Sequence, residues 1–426
     1  MPNTPLDIDR INGDITYQEF LVGFYFPRMQ FHLTVDDNGI VNCLNKDSYL
    51  LPNRPCLISP SLTSSWPCFR HWTVQSPSGS DPLPNWQYLS ETYGAQEVSV
   101  ADCNTRDFSD QKRTSMSVAQ GIETVVDAKS SQNLPYIKDW HLVLQSRTGL
   151  SNEHDKIPYE TPKIFRDDWL NNSCSQADDF RFCYVGVSGS FTPLHRDVYA
   201  SYSWSTNVVG VKIWRLFPPE TAPLLRKFPS NRRSEGIYDV RTVDPSIFTG
   251  WEEAQRTMVV IRQNPGETIF IPSNWYHQVE NITDCISLNH NWCNSVNLPC
   301  LYAAMKDEVE EVSAAISDVK DMMMRHASGG GGGGDDDKGW QVDWLREVDK
   351  LVKIDAGWGW EHFFQMIEFN ITAKTVVAPG YLRPADRFVR ERVCGVVEDF
   401  VTRDEYALLP EVKLVVDRIL TALFAI

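Results

Sequence analysis

The sequence holds no Cys-x-x-Cys pair: Cys43, Cys56, Cys68, Cys103, Cys174, Cys183, Cys285, Cys293, Cys300 and Cys394 are scattered along the chain. That spacing argues against a cysteine-rich zinc module or a dithiol redox centre, and it suits reduced thiols. No apolar run reaches the length that crosses a bilayer, and the opening MPNTPLDIDRINGD carries no apolar signal core. A cytoplasmic protein is expected, with the nucleus as the other compartment compatible with these features and with no membrane partner. The glycosylation-like triplets at Asn171, Asn281 and Asn370 then read as chance matches. Positive charge is also short, with 40 Lys and Arg against 56 Asp and Glu, a net −16 that repels a phosphate backbone and argues against a nucleic-acid partner. What the chain has in quantity is apolar and aromatic surface, with 14 Trp, 15 Tyr and 20 Phe among 426 residues. This is the composition of a packed globular protein, long enough for one large domain plus an accessory region.

Three stretches follow one another. Residues 1–130 read as a mixed N-terminal region packing on the core. It has a helix beginning near Tyr17, a short buried strand over 55–59, a strand over 96–102 and a helix around 114–128 set in a polar connection. Residues 131–297 open with a strand over 134–144, and from Phe180 onward they are dense in short β-branched and aromatic runs separated by turn residues. Many short strands with tight turns indicate an antiparallel barrel or double sheet. The turn Asn264-Pro265-Gly266-Glu267 has Pro second and Gly third, which suits a type II turn and predicts a hairpin between the flanking runs. Residues 298–426 carry helical periodicity, interrupted by a glycine-rich tract that predicts disorder over 327–339.

The chemistry-bearing residues lie in the middle stretch. His195 and Asp197 are separated by one residue, so a strand presents both to one side, where an imidazole nitrogen and a carboxylate oxygen can share a metal. His277 follows the turn Pro272-Ser273-Asn274 and supplies a third ligand. Two histidines and one carboxylate form the facial triad of non-haem Fe(II) oxygenases, with open positions for cosubstrate and oxygen. A His-x-Asp pattern alone is more often a pair of ordinary strand residues; the surrounding blocks FTPLHRD, WSTNVVGVKIWRLFPP and PGETIFIPSNWYH are what set this one apart. Lys212 sits in the apolar run from Val208 to Phe217, and burying a lysine there is costly unless an anion meets it. Alternation alone leaves open that Lys212 faces solvent and Arg215 points inward.

These blocks resemble the JmjC-domain hydroxylases, a branch of the cupin-like double-stranded β-helix dioxygenases. The resemblance implies a mainly β fold with that core, flanked by the N-terminal mixed segment and the C-terminal helices. It implies Fe(II), 2-oxoglutarate and O2 as cofactors, and Lys212 as the partner of the 2-oxoglutarate distal carboxylate. Thr192, Tyr136 and Asn291 are implied as further cosubstrate contacts, and no catalytic side chain is implied beyond the metal ligands. The segments YIKDWHL at 136–142, LPNRPC at 51–56 and SYSWS at 201–205 resemble one JmjC subgroup. That resemblance implies hydroxylation of a lysine in the eukaryotic translation termination factor. Lysine demethylation and a catalytically silent scaffold that binds a partner remain open alternatives. The aromatic helical segment from Trp358 to Phe369 is a candidate homodimer face, with core packing as the ordinary explanation.

Overall fold

The computed structural model describes residues 8–22, 49–77, 79, 81–128, 133–148, 158–173, 179–231, 233–329, 339–373 and 382–424. The chain forms two compact units. One comprises Met1–Arg166, Ser175–Asp197 and Tyr202–Trp292, and the other Asp167–Cys174, Val198–Ser201 and Cys293–Ile426.

In the first unit, eight consecutive strands are shared between two sheets and pair antiparallel, changing sheet at each step except between Lys212–Phe217 and Val259–Gln263, which are neighbours in one sheet. Arg181–Gly186, Tyr202–Val209, Thr268–Ile271 and Cys285–Trp292 belong to the larger sheet. Phe191–Arg196, Lys212–Phe217, Val259–Gln263 and Tyr276–Asn281 form the smaller one. This is the double-stranded β-helix, and its sandwich core forms because alternate residues of each strand point inward. Leu57, Ile269 and Ile271 from the larger sheet pack with Trp214, Leu216, Val259, Ile261 and Val279 from the smaller. A second aromatic layer joins Phe20, Phe165, Tyr202, Trp204, Phe270 and Trp292.

Several expectations are corrected. Gly266 has the positive φ of 82° that a type II turn needs, and Glu267 N–H donates to Asn264 O at 3.2 Å. No hairpin follows, however, because Val259–Gln263 and Thr268–Ile271 lie in different sheets and the turn carries the chain across the sandwich. Asp9–Ile11, Cys56–Ile58, Glu97–Asp107 and Asp110–Ser117 all join the larger sheet, so strands before residue 130 extend that sheet rather than only packing on a core. The strand Asp110–Ser117 falls in what reads as polar connection and helix start. It is a largely exposed edge strand paired on one side, so it has no buried face to give it apolar alternation. The strand expected over 134–144 stops at Trp140, and Leu142–Thr148 is helical.

The second unit is helical. Leu298–Ala315, Ser317–Gly329, Gly339–Ala356, Trp360–Thr372, Asp386–Phe400 and Pro410–Phe424 are its long helices among the described residues. Trp360, Phe363, Phe364 and Ile367 fall at the i, i+3, i+4, i+7 positions of one buried stripe. Phe400 meets that stripe, with its ring centroid 4.4 Å from that of Phe364 and 4.9 Å from that of Trp360. Helix continues through Gly329 and resumes at Gly339, so 327–329 and 339 are helical where disorder is expected; 330–338 lie outside the described residues. No described helix is long and apolar enough to cross a membrane. Asn171, Asn281 and Asn370 are all buried, with their side-chain amides bonded to Asp168, Ser190 and the Trp169 carbonyl.

Candidate metal and cosubstrate site

The smaller sheet brings together the three residues that the sequence separates. Phe191–Arg196 pairs antiparallel with Tyr276–Asn281 in a register that sets His195 directly opposite His277. Their ring centroids are 4.2 Å apart. Asp197 follows immediately after the first of these strands, with Oδ2 4.0 Å from His277 Nε2. One ligand atom from each of the three lies within 4.8 Å of the others. Two local features aim these groups. Asn274, at a φ of 65°, closes the turn before His277, and its side-chain oxygen accepts from Arg196 at 3.0 Å. Ser203 donates its hydroxyl to Asp197 Oδ2 at 2.7 Å, holding the carboxylate in one rotamer.

The histidine tautomers follow from their partners. His195 Nδ1 lies 2.8 Å from the Pro193 carbonyl and His277 Nδ1 3.3 Å from the Trp275 carbonyl. A carbonyl only accepts, so each Nδ1 carries the proton and each Nε2 keeps its lone pair for a metal. Burial first, and then the neighbouring His277, push the His195 imidazole down to about 4, which keeps it neutral at physiological pH despite the opposing pull of Asp197. Neutral imidazoles with a carboxylate are the donor set that Fe(II) takes.

All four sequence-derived cosubstrate candidates, Tyr136, Thr192, Lys212 and Asn291, line the same cleft as the triad. Lys212 is 2% exposed, so the alternative that placed it in solvent fails. Arg215 instead sits beside Glu280 at 3.0 Å. Lys212 donates to Tyr136 OH at 3.1 Å and to Asn281 Oδ1 at 2.9 Å, and among the described residues both hydrogen-bond partners are neutral. Burial raises the Tyr136 phenol above its ordinary range, opposed by the Lys212 charge, so it stays protonated. Asn291 lies opposite Ser203 in the larger sheet, and Thr192 opposite Val279 in the smaller. A buried cation with neutral partners, facing two imidazoles and a carboxylate, fits an anionic ligand that also chelates a metal.

Sequence reasoning missed Ser203, Tyr184, Asn289 and Asn281. Asn289 has a legible signal, since it stands two residues before Asn291 on one strand and so on the same face. Ser205 holds it through a 3.0 Å bond to Oδ1. Tyr184 reaches the cleft while its hydroxyl donates to Asp139 at 2.6 Å, a contact between two strands with no local signature.

Comparison with known proteins agrees with the geometry. Residues 43–297 match the family model described as a cupin-like domain. The chain is 33% identical over 327 residues to the 2-oxoglutarate and iron-dependent oxygenase JMJD4 of Mus musculus, covering 75% of this chain and 70% of that protein. It is 36% identical over 286 residues to the Danio rerio protein of the same name, covering 65% and 64%. It is also 37% identical over 298 residues to the arginine-specific demethylase JMJ20 of Arabidopsis thaliana, covering 65% and 60%. The chain thus spans 60 to 70% of the length of these relatives. With the two-sheet topology and the His-Asp-His cluster at one cleft, the chain belongs to the cupin-like domain family, and it is similar there to 2-oxoglutarate and iron-dependent oxygenases.

Proposed function

We propose that this protein is an Fe(II)- and 2-oxoglutarate-dependent protein hydroxylase, acting in the cytoplasm on a lysine of the translation termination factor. The observation that carries the oxygenase reading is the buried Lys212, with neutral partners, in the same cleft as His195, Asp197 and His277. His195, Asp197 and His277 would hold iron through two Nε2 atoms and a carboxylate oxygen. Lys212 would take the distal carboxylate of 2-oxoglutarate, with Tyr136, Thr192 and Asn291 around it. Iron and 2-oxoglutarate together supply the oxidising chemistry, in which O2 and 2-oxoglutarate give succinate and carbon dioxide while one oxygen atom enters a substrate C–H bond. The chain's own part is to orient these groups and exclude water: Trp214 and Val279 wall the cleft with apolar surface, and Ser203 fixes Asp197. No side chain is required as acid or base.

The lysyl target rests on the subgroup resemblance of 51–56, 136–142 and 201–205. A second reading, demethylation, is favoured by the similarity to two relatives, the plant arginine-specific demethylase and the bifunctional arginine demethylase and lysyl-hydroxylase psr-1 of Caenorhabditis elegans. Incubating the iron-loaded protein with 2-oxoglutarate, O2 and the intact termination factor, followed by peptide mass analysis, separates them. One added oxygen on a lysine is expected. Loss of a methyl group with release of formaldehyde would replace hydroxylation by demethylation, and absence of iron-dependent succinate formation would leave only a scaffold.

A further inference from the structure

Lys212 is a buried cation whose direction and net charge are set by a residue outside the four cosubstrate candidates. Asn281 stands directly opposite it in the neighbouring strand, is 1% exposed, and accepts from Nζ at 2.9 Å through Oδ1. The amide's other end is tied as well. Asn281 Nδ2 donates to Ser190 Oγ at 2.9 Å, and Ser190 Oγ donates to the Val187 carbonyl at 2.6 Å. This chain has a fixed polarity. A carbonyl can only accept at one end and an ammonium can only donate at the other, so Ser190 must donate onward and Asn281 must present its oxygen to Lys212. The backbone holds the same residue twice more, through Asn281 N–H to Ser190 O at 2.9 Å and Gly189 N–H to Asn281 O at 2.7 Å.

Chemically, the identity of this acceptor matters more than its size. An amide oxygen takes one of the three ammonium protons and Tyr136 OH takes another, while neither carries a negative charge. An aspartate of the same shape would form an ion pair and cancel the charge that an incoming carboxylate needs. We infer that Asn281, oriented by Ser190, is a positioning and specificity residue that keeps Lys212 uncompensated so that the pocket selects a dianionic cosubstrate. This inference rests on the 2-oxoglutarate reading above and adds the residue that makes the lysine selective.

The test compares three variants of the full chain loaded with Mn(II). Each is titrated with 2-oxoglutarate by calorimetry and melted by circular dichroism without ligand. Asn281→Asp is expected to stay folded and to bind 2-oxoglutarate at least about 100-fold more weakly, because a fixed carboxylate now faces the incoming one. Asn281→Ala, which removes the acceptor without adding charge, is expected to lose only about tenfold. In turnover, the Asn281→Ala loss should appear in KM for 2-oxoglutarate and leave kcat unchanged. A residue that merely fills space gives the reverse order, since aspartate is isosteric and alanine leaves a void; wild-type-like binding by Asn281→Asp, or a weaker Asn281→Ala than Asn281→Asp, would overturn the inference. Ser190→Ala keeps the inference testable if a position 281 variant fails to fold. It frees the amide to turn and should weaken 2-oxoglutarate severalfold, and unchanged affinity there would also overturn it. Failure of the wild-type chain to bind 2-oxoglutarate would instead overturn the cosubstrate reading beneath it.

Discussion

Gly186→Ala offers a sharp test of how tightly the cosubstrate pocket is built. Gly186 lies opposite Tyr136 on one side and Cys285 on the other in the larger sheet. A Cβ at this position would meet Ser190 Oγ at 2.5 Å, Tyr136 Cδ2 at 2.6 Å and Asn281 Nδ2 at 2.7 Å. Ordinary contact begins near 3.5 Å, so each of these atoms has to retreat by about 1 Å. A movement of about 1 Å by Ser190 Oγ breaks its 2.6 Å bond to Val187 or its 2.9 Å bond from Asn281. The same displacement of the Tyr136 ring lifts its hydroxyl off Lys212, now 3.1 Å away. Overpacking costs about 1–3 kcal/mol and a weakened charged hydrogen bond about 1.5–3 kcal/mol, together about 2.5–6 kcal/mol. The melting temperature should fall by roughly 4–10 °C by circular dichroism. Calorimetric affinity of the Mn(II)-loaded protein for 2-oxoglutarate should drop about tenfold or more, because Lys212 loses both of its fixed partners. A melting temperature within about 2 °C of wild type together with unchanged affinity would refute this reasoning, since the neighbours would then have room that the geometry denies them.

Other perturbations separate the metal from the rest. Asp197→Asn removes the only carboxylate of the triad and should weaken Mn(II) binding by at least about 100-fold in a paramagnetic titration, whereas Ser203→Ala, which only frees that carboxylate to rotate, should weaken it about tenfold. Equal effects would show that Ser203 does more than orient. In the helical unit, Asp167 is buried, Trp169 Nε1 donates to one of its oxygens at 3.3 Å, and among the described residues its Oδ2 has no hydrogen-bond partner. Burial, with a smaller push from Asp168 and opposed by Trp169, Arg383 and Asn294, raises this carboxyl from 3.8 to about 7. The folded protein thus holds this proton where the unfolded chain has lost it, so stability falls as pH rises from about 4 to about 7 and the contribution levels off above that. Asp167→Asn is expected to raise stability at pH 8 by about 1–4 kcal/mol and to change it little at pH 4. A melting temperature that rises equally at both pH values would contradict the assignment.

How much of this was legible depended on whether the information was local. The density of short strands from Phe180 to Trp292 was visible because most of them bury an inward face, giving apolar and β-branched runs, and the helices after residue 297 were visible through their stripes. The exposed strand Asp110–Ser117 was not, because it buries little and its membership in the sheet is a matter of hydrogen bonds to Glu97–Asp107. Likewise Pro265-Gly266 specified a turn, and nothing local in it could say whether the next strand returns to the same sheet or crosses to the other.

The same division runs through the site. By itself the sequence determined the ligand types, the His-x-Asp spacing and the improbable lysine among apolar neighbours, since these depend on side-chain chemistry and on the two-residue period of a strand. Tertiary structure alone decided that His277 stands across from His195, that Lys212 rather than Arg215 turns inward, and that Asn281, Ser190 and Gly186 support it. Those are pairings between strands far apart in the chain, set by register and by the close packing of two sheets, and a one-residue slip of register would turn each of them to the opposite face.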